Sequence, residues 1–195
     1  MNEALYTTIT DALVENGYVI ISNALTGTLS QNLLTLAKKS KNFKRAGIST
    51  RKKINSNTRR DKILWLSHDN GVQSEFLDFA DGLKEYFNRE LFTCITYFES
   101  HFALYEDGDF YATHYDAFKN SVNRIITIVY YLNEEWDEKS GGELVMYDDD
   151  MKFVTKVMPL ANTLVVFLSD KFPHEVLPAK RKRYSIAGWF RVDKI

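Results

Sequence analysis

One cysteine, Cys94, excludes a framework of intramolecular disulfides and suits a reducing compartment. Three prolines in 195 residues exclude a proline-rich linker protein. No apolar run approaches the ~18 residues that a membrane span needs. The first residues lack a basic start followed by an apolar run, so no secretory signal is read there. An excess of one charge is missing too: 25 Lys and Arg stand against 26 Asp and Glu, a net charge of -1. No global field therefore forces a nucleic-acid or membrane partner. The expectation is a cytoplasmic protein with no membrane partner and no direct nucleic-acid role. What the chain does have is 45% apolar residues, with 13 Phe and 11 Tyr. At this length they can build the aromatic core of one domain, expected to span residues 1–195.

Residues 3–16 carry apolar positions at helical spacing, with Gly17 as a stop. Residues 18–22 form a short β-branched run. Residues 29–39 read as a second helix and 75–92 as a third, in which Phe76, Phe79, Leu83 and Phe87 share one face. From residue 93 the period shortens. Strands are expected over 93–105, 123–132, 142–147, 152–157, 163–167 and 183–191, separated by Gly, Asp, Asn and Pro. The fold class is thus mostly β with flanking α: a sandwich or barrel over 93–195, braced by residues 1–92 with their helices and early strands. Residues 38–60 stand apart, with ten Lys or Arg and no acidic residue. They read as a mobile basic loop near the site, against the plainer alternative of a solvated loop.

Histidine is also scarce, at four residues, and two of them carry the chemistry. His114 and Asp116 lie two apart, and on a strand such positions face the same side. A lone histidine is more often a satisfied structural residue, and this short pattern recurs by chance. The pair gains weight from His174, 58 residues on, in Pro173-His-Glu-Val176. Two imidazoles and a carboxylate can hold Fe(II) on one face and leave the other open. A zinc hydrolase can use the same ligands. Arg183, nine residues after His174, separates the two readings. It alternates with Ser185, Ala187 and Trp189, while Tyr184, Ile186 and Phe190 take the opposite face. A guanidinium turned into a barrel needs an anion, since an unpaired buried charge is costly. A dicarboxylic 2-oxo acid supplies one, bound bidentately. An exposed arginine within the basic run 180–183 is the alternative. Tyr130 and Tyr131 end an apolar strand. One of the two must face inward and could support the same carboxylate, and spacing does not choose between them. Gly141 and Gly142 suit a tight entry to the next strand.

These motifs resemble the 2-oxoglutarate- and iron-dependent oxygenases, and among them the prolyl hydroxylase domain family of prolyl 4-hydroxylases, the oxygen-sensor type with its bacterial members. The likeness runs from about Ala46 to Arg191. It rests on Arg59-Arg-Asp-Lys-Ile-Leu-Trp65, Gly108-Asp-Phe-Tyr-Ala-Thr-His-Tyr-Asp116, Arg124, Tyr130-Tyr-Leu-Asn-Glu-Glu-Trp136, Gly141-Gly-Glu-Leu144, Pro173-His-Glu-Val176 and Arg183-Tyr-Ser-Ile-Ala-Gly-Trp189. The resemblance implies a double-stranded β-helix (jelly-roll) core. It assigns His114, Asp116 and His174 to iron, and Arg183 and Tyr131 to the distal carboxylate of 2-oxoglutarate. It lines that pocket with Tyr105, Val129, Leu144 and Val176. It sets Tyr111, Arg124 and Trp189 near the substrate entrance, with Asp61 and Trp65 where a mobile loop feeds into a strand. The implied cofactors are Fe(II), 2-oxoglutarate and O2, with ascorbate as an accessory reductant. The implied products are 4-hydroxyproline, succinate and CO2. The implied partner is an intracellular protein that presents a proline in a loop, with a translation factor or ribosomal protein as first expectation. Two departures border the substrate groove of that family. The chain stops soon after the Arg183 segment, so the C-terminal helix of the animal oxygen sensors is not expected, and Gly108-Asp-Phe-Tyr111 replaces a more glycine-rich approach. They turn the reading away from the animal transcription-factor substrate and leave the chemistry intact. The alternatives are a 2-oxoglutarate oxygenase acting on another side chain, a free amino acid or a nucleic-acid base, and a non-enzymatic 2-oxoglutarate sensor.

Overall fold

The computed structural model describes residues 3–47, 57–117 and 123–193. Three helices precede most of the strands. They are α1 (Glu3–Asn16), α2 (Gly27–Lys39) and α3 (Gly71–Leu91). Between them lie β1 (Tyr18–Ser22), β2 (Lys44–Arg45) and β3 (Lys62–Trp65). After α3 come β4 (Tyr97–Tyr105), β5 (Tyr111–His114), β6 (Arg124–Tyr131), β7 (Leu144–Tyr147) and β8 (Phe153–Val157). The chain ends with β9 (Thr163–Leu168), β10 (His174–Val176) and β11 (Arg183–Arg191). None of the helices is long and apolar enough to cross a membrane.

Seven strands form one antiparallel sheet in the order β1-β9-β6-β11-β4-β3-β2, and four form a second in the order β5-β10-β7-β8. The two sheets enclose one cluster of side chains, including Ala103, Tyr105, Val129, Leu144 and Val176. The outer face of the large sheet packs on the helices through Phe102, Ile128, Tyr130, Ile186 and Phe190. Strands β4, β6 and β11 are thus buried on both faces, and their alternation sorts residues between two interiors. On β11, Tyr184, Ile186 and Phe190 turn to the helices, while Arg183 and Ser185 turn to the space between the sheets. This is the double-stranded β-helix with flanking helices, and β1 and β3 show that the N-terminal third also contributes strands to its sheet.

Element limits shift where local chemistry overrides periodicity. Helix α3 begins at Gly71, earlier than the apolar stripe announces, because the Asn70 side chain accepts hydrogen bonds from the amides of Val72 and Gln73. Strand β4 begins at Tyr97 and not at residue 93. Phe92 and Cys94 both hold left-handed backbone, and the Asn88 carboxamide takes up the Ile95 amide, so the approach is a tight turn. Gly141 and Gly142 also have positive φ and form a corner before β7, which starts at Leu144. Helix α3 locks onto the sheet through aromatic contacts: Phe76 on Tyr130 at 5.7 Å and Phe87 edge-on to Phe190 at 5.2 Å. Of the basic stretch 38–60, residues 48–56 lie outside the described residues. Its described part is divided among the end of α2, strand β2 and a segment that bridges β5.

Truncating Leu83, fully buried under the sheet, creates a cavity and should cost about 2–5 kcal/mol. Asn70→Ala removes only a cap and should cost about 1 kcal/mol. Urea unfolding of both variants checks the ranking, and an equal loss in the two would contradict this account of α3.

Candidate active site

Strands β5 and β10 pair so that His174 lies directly opposite His114. The Nδ1 of His114 is 2.8 Å from the Ala112 carbonyl oxygen, and the Nδ1 of His174 is 2.9 Å from that of Phe172. A carbonyl only accepts, so each Nδ1 carries the proton and each Nε2 offers a lone pair. Both lone pairs face Asp116: His114 Nε2 lies 3.7 Å from Oδ1 and His174 Nε2 lies 3.6 Å from Oδ2. The ligand atoms of the three residues fall within 4.8 Å of one another, a spacing that could hold one metal ion. Asp116 reaches this position from a bend just past β5 and not from the strand itself. Its place is set from the large sheet, since the Thr127 hydroxyl donates to Oδ2 at 2.9 Å and lies 2.8 Å from the Ser169 hydroxyl.

Burial, reinforced by the neighbouring His174, drives the His114 imidazole far below its ordinary range, so it stays neutral. Burial draws the Asp116 carboxyl upward, but His174, His114 and Arg124 outweigh it and keep the group ionised. A neutral imidazole at His114 and an ionised carboxylate at Asp116 are the forms in which these two side chains bind a metal.

Arg183 closes the floor of the cavity and is 1% exposed. Lys180, Arg181 and Lys182 before it are exposed, so the alternation picks one cation of that run for the interior. Its Nε donates to the Gly142 carbonyl at 2.7 Å and its Nη1 to the Ser185 hydroxyl at 3.2 Å. Its guanidinium lies 4.8 Å from the Tyr105 ring centroid and 5.1 Å from that of Tyr131. Among the described residues, no carboxylate forms an ion pair with it. The structure also separates the two tyrosines. Tyr130 turns to the helices, where its hydroxyl donates to Asn162 at 2.8 Å. Tyr131 turns inward, and its buried hydroxyl has no hydrogen-bond partner among the described residues. Burial pushes the Tyr131 hydroxyl up to about 12 against the pull of Arg183, so it remains a donor. Gly142 holds φ of +70°, and a Cβ there would meet the Arg183 side chain at 2.9 Å. Val129, Leu144 and Val176 supply apolar wall.

Towards the opening, Tyr111 stacks on His114 with ring centroids 3.6 Å apart, and Arg59 lies over Tyr111 at 4.6 Å. Asp61 is buried and holds Arg59 through two bonds of 2.5 and 2.8 Å. Burial works against the charge on Arg59, but the Asp61 carboxylate prevails and raises its pKa. Arg124 lies 3.8 Å over the Trp189 ring, donates to the Asp116 carbonyl at 3.4 Å, and pairs with Glu99. Trp65 is half exposed, with its ring 5.1 Å from that of His101.

The sequence reading left several residues out of this site. Arg59 was hidden within the basic stretch, although it opens the motif that ends at Trp65. His101 stands in phase with Tyr105 on β4, a signal that alternation could have given. Thr127 shares a face with Val129 and Tyr131, but a lone hydroxyl on an apolar strand gives no warning of a carboxylate beyond it. Ser169 follows β9 and carries no such phase.

Residues 100–191 match the profile of the 2OG-Fe(II) oxygenase superfamily. Over 158 residues the chain is 32% identical to prolyl hydroxylase EGLN3 of Mus musculus, an alignment covering 75% of this chain and 62% of that protein. The chain thus spans 62% of the length of that curated relative. A crystal structure of a Pseudomonas putida prolyl-4-hydroxylase is similar, with a TM-score of 0.89 and 34% identity over 97% of this chain and 100% of that one. A prolyl hydroxylase from Trichoplax adhaerens, in complex with a hypoxia inducible factor oxygen degradation domain peptide fragment, gives 0.86 and 30% over 97% and 90%.

The buried histidines predict a pH dependence. Burial, then Arg59 and Arg124, lower His101 to about 3, whereas an unfolded histidine titrates near about 6.5. Between those values the unfolded chain binds more protons, so stability must fall as pH drops. Asp116, held ionised in the fold, acts in the same direction below its ordinary range. The urea midpoint of the metal-free protein should decrease from pH ~7 to pH ~4.5, and a flat profile would contradict the buried neutral state.

Proposed function

The chain belongs to the 2OG-Fe(II) oxygenase superfamily, and on that premise we propose that it is a 2-oxoglutarate-dependent prolyl 4-hydroxylase acting on a protein. The observation that carries this reading is the unneutralised, buried Arg183 beneath the cluster of His114, Asp116 and His174. Activating a water for hydrolysis does not itself call for such a cation, whereas a co-substrate with a second carboxylate gives it a partner.

The residues fit the cofactors. His114, Asp116 and His174 would hold Fe(II) through two imidazole nitrogens and a carboxylate, leaving one face open. Arg183 would grip the distal carboxylate of 2-oxoglutarate, with Tyr131 donating a hydrogen bond and Tyr105 backing the guanidinium. Val129, Leu144 and Val176 would keep water from its carbon chain. Once bound, Fe(II), 2-oxoglutarate and O2 supply the oxidising chemistry, with succinate, CO2 and a hydroxylated product as the outcome. The chain contributes position and dryness. The imidazoles are locked by backbone carbonyls, and Thr127 fixes the carboxylate.

Tyr111, Arg124, Trp189, Asp61 and Trp65 form the substrate entrance in this reading, where a proline in a loop of the target would enter. A protein of the translation machinery is the proposed target, following the bacterial-type members that the sequence resembles. The single cysteine suits the cytoplasm, and ascorbate would serve as accessory reductant.

Incubation with Fe(II), 2-oxoglutarate and a protein lysate should yield succinate together with one added oxygen on prolines, read by mass spectrometry. His174→Ala should abolish both signals. Arg183→Lys should raise the KM for 2-oxoglutarate about tenfold or more, because an ammonium cannot replace the planar fork. Succinate with the oxygen found on another side chain, a free amino acid or a base would sink the prolyl assignment and keep the cofactor chemistry.

A further inference from the structure

Within the metal cluster, His114 and His174 sit on paired strands, whereas Asp116 stands on a bend with no ladder to aim it. Its side chain is aimed by hydroxyls, and their donor directions can be worked out. A carboxylate only accepts, so the single proton of Thr127 goes to Asp116 Oδ2. The 2.8 Å bond between Thr127 and Ser169 then has one direction left: Ser169 donates to Thr127. Two protons in series thus point at the carboxylate, and each bond polarises the next. Both hydroxyls are buried, Thr127 at 1% exposure and Ser169 at 0%, so bulk water cannot stand in for either.

The main chain of Ser169 is committed to the same place. Its amide donates to the Ile125 carbonyl at 3.1 Å, extending the pairing of β9 with β6 by one residue. Its carbonyl accepts from the amide of Ala117, the residue after Asp116, at 3.3 Å. Ser169 also opens the crossing from β9 to β10, and His174 stands where that crossing ends. One residue therefore touches the chain just past one member of the cluster and begins the segment that delivers another. The backbone bonds need no side chain. The hydroxyl adds the orientation of Thr127.

We propose that Ser169 is a positioning residue for the metal ion: its hydroxyl turns the Thr127 proton onto Asp116 Oδ2 and so fixes the carboxylate before the ion arrives. The proposal rests on the assignment of His114, Asp116 and His174 to a metal. A carboxylate already in place needs no reordering on binding. Without the Ser169 hydroxyl, the Thr127 rotor and the carboxylate it holds are free to turn, and affinity falls.

The test titrates metal-free wild type, Ser169→Ala, Thr127→Val and the double variant with Co(II), read by its visible absorption. Each protein is also melted without metal. Ser169→Ala should weaken Co(II) binding about tenfold, the lower end of what losing an outer partner of a ligand costs. Thr127→Val should weaken it at least as much. Because Ser169 acts through Thr127, the double variant should bind Co(II) as Thr127→Val does. Thr127→Ser keeps the hydroxyl and should bind as wild type does. Ser169→Cys, similar in shape and weak as a donor, should fall between wild type and Ser169→Ala, and it carries the test if the alanine variant does not fold. Wild-type affinity in the Ser169 variants, with or without a lower melting point, overturns the proposal. So do losses that multiply in the double variant. A wild type whose Co(II) absorption is indifferent to His174→Ala instead refutes the metal assignment, and this inference falls with it.

Discussion

A guanidinium enclosed between two apolar sheets sets the terms for everything around it. Taking such a charge out of water costs several kcal/mol, on the order of what a whole domain has to spare. Arg183 meets that cost in part with one backbone carbonyl, one hydroxyl and two aromatic faces. Each partner then constrains its own neighbourhood. Gly142 has no side chain because Arg183 occupies the space. Ser185 keeps a hydroxyl on a face otherwise given to apolar residues. Tyr131 leaves its hydroxyl unspent beside the charge. The remaining deficit has the shape of a carboxylate, and the cavity above it has the ligands of a metal.

The metal cluster and this cation belong to different parts of the sandwich. His114 and His174 come from the small sheet, Arg183 from the large one, and Asp116 from a bend between them that Thr127 ties to the large sheet. The distance between metal and cation is therefore a property of how the two sheets pack. The helices pack on the opposite face of the large sheet, where Phe76 meets Tyr130 and Phe87 meets Phe190. Their part in function is to fix the wall that carries Arg183.

Much of this was legible in the sequence because strands write their faces as alternation. The two-residue period from Arg183 to Trp189 announced a polar interior on one side and an apolar one on the other. His174 was legible through its surroundings and Tyr131 only through resemblance, since Tyr130 has the same chemistry one position away. What alternation cannot express is distance between elements. Arg59 looked like one more cation in a basic run, because its partner Asp61 gains meaning only when Tyr111 is stacked beneath it. His101 carried no motif. The starts of α3 and β4 were displaced by single carboxamides, Asn70 and Asn88, whose effect is local and leaves no period to read.

Strand β11 serves the hydrophobic core with one face and the chemistry with the other, and neighbouring strands hold it on both edges in a register of nine and seven paired positions. A slip of one residue would reverse those faces: Tyr184 would enter the cavity and Arg183 would be pressed into the packing of the helices. Such an error is fatal to stability as well as to the site. The hydrophobic interior therefore proofreads the pocket, and a chain that folds at all has already set its cation at the right depth.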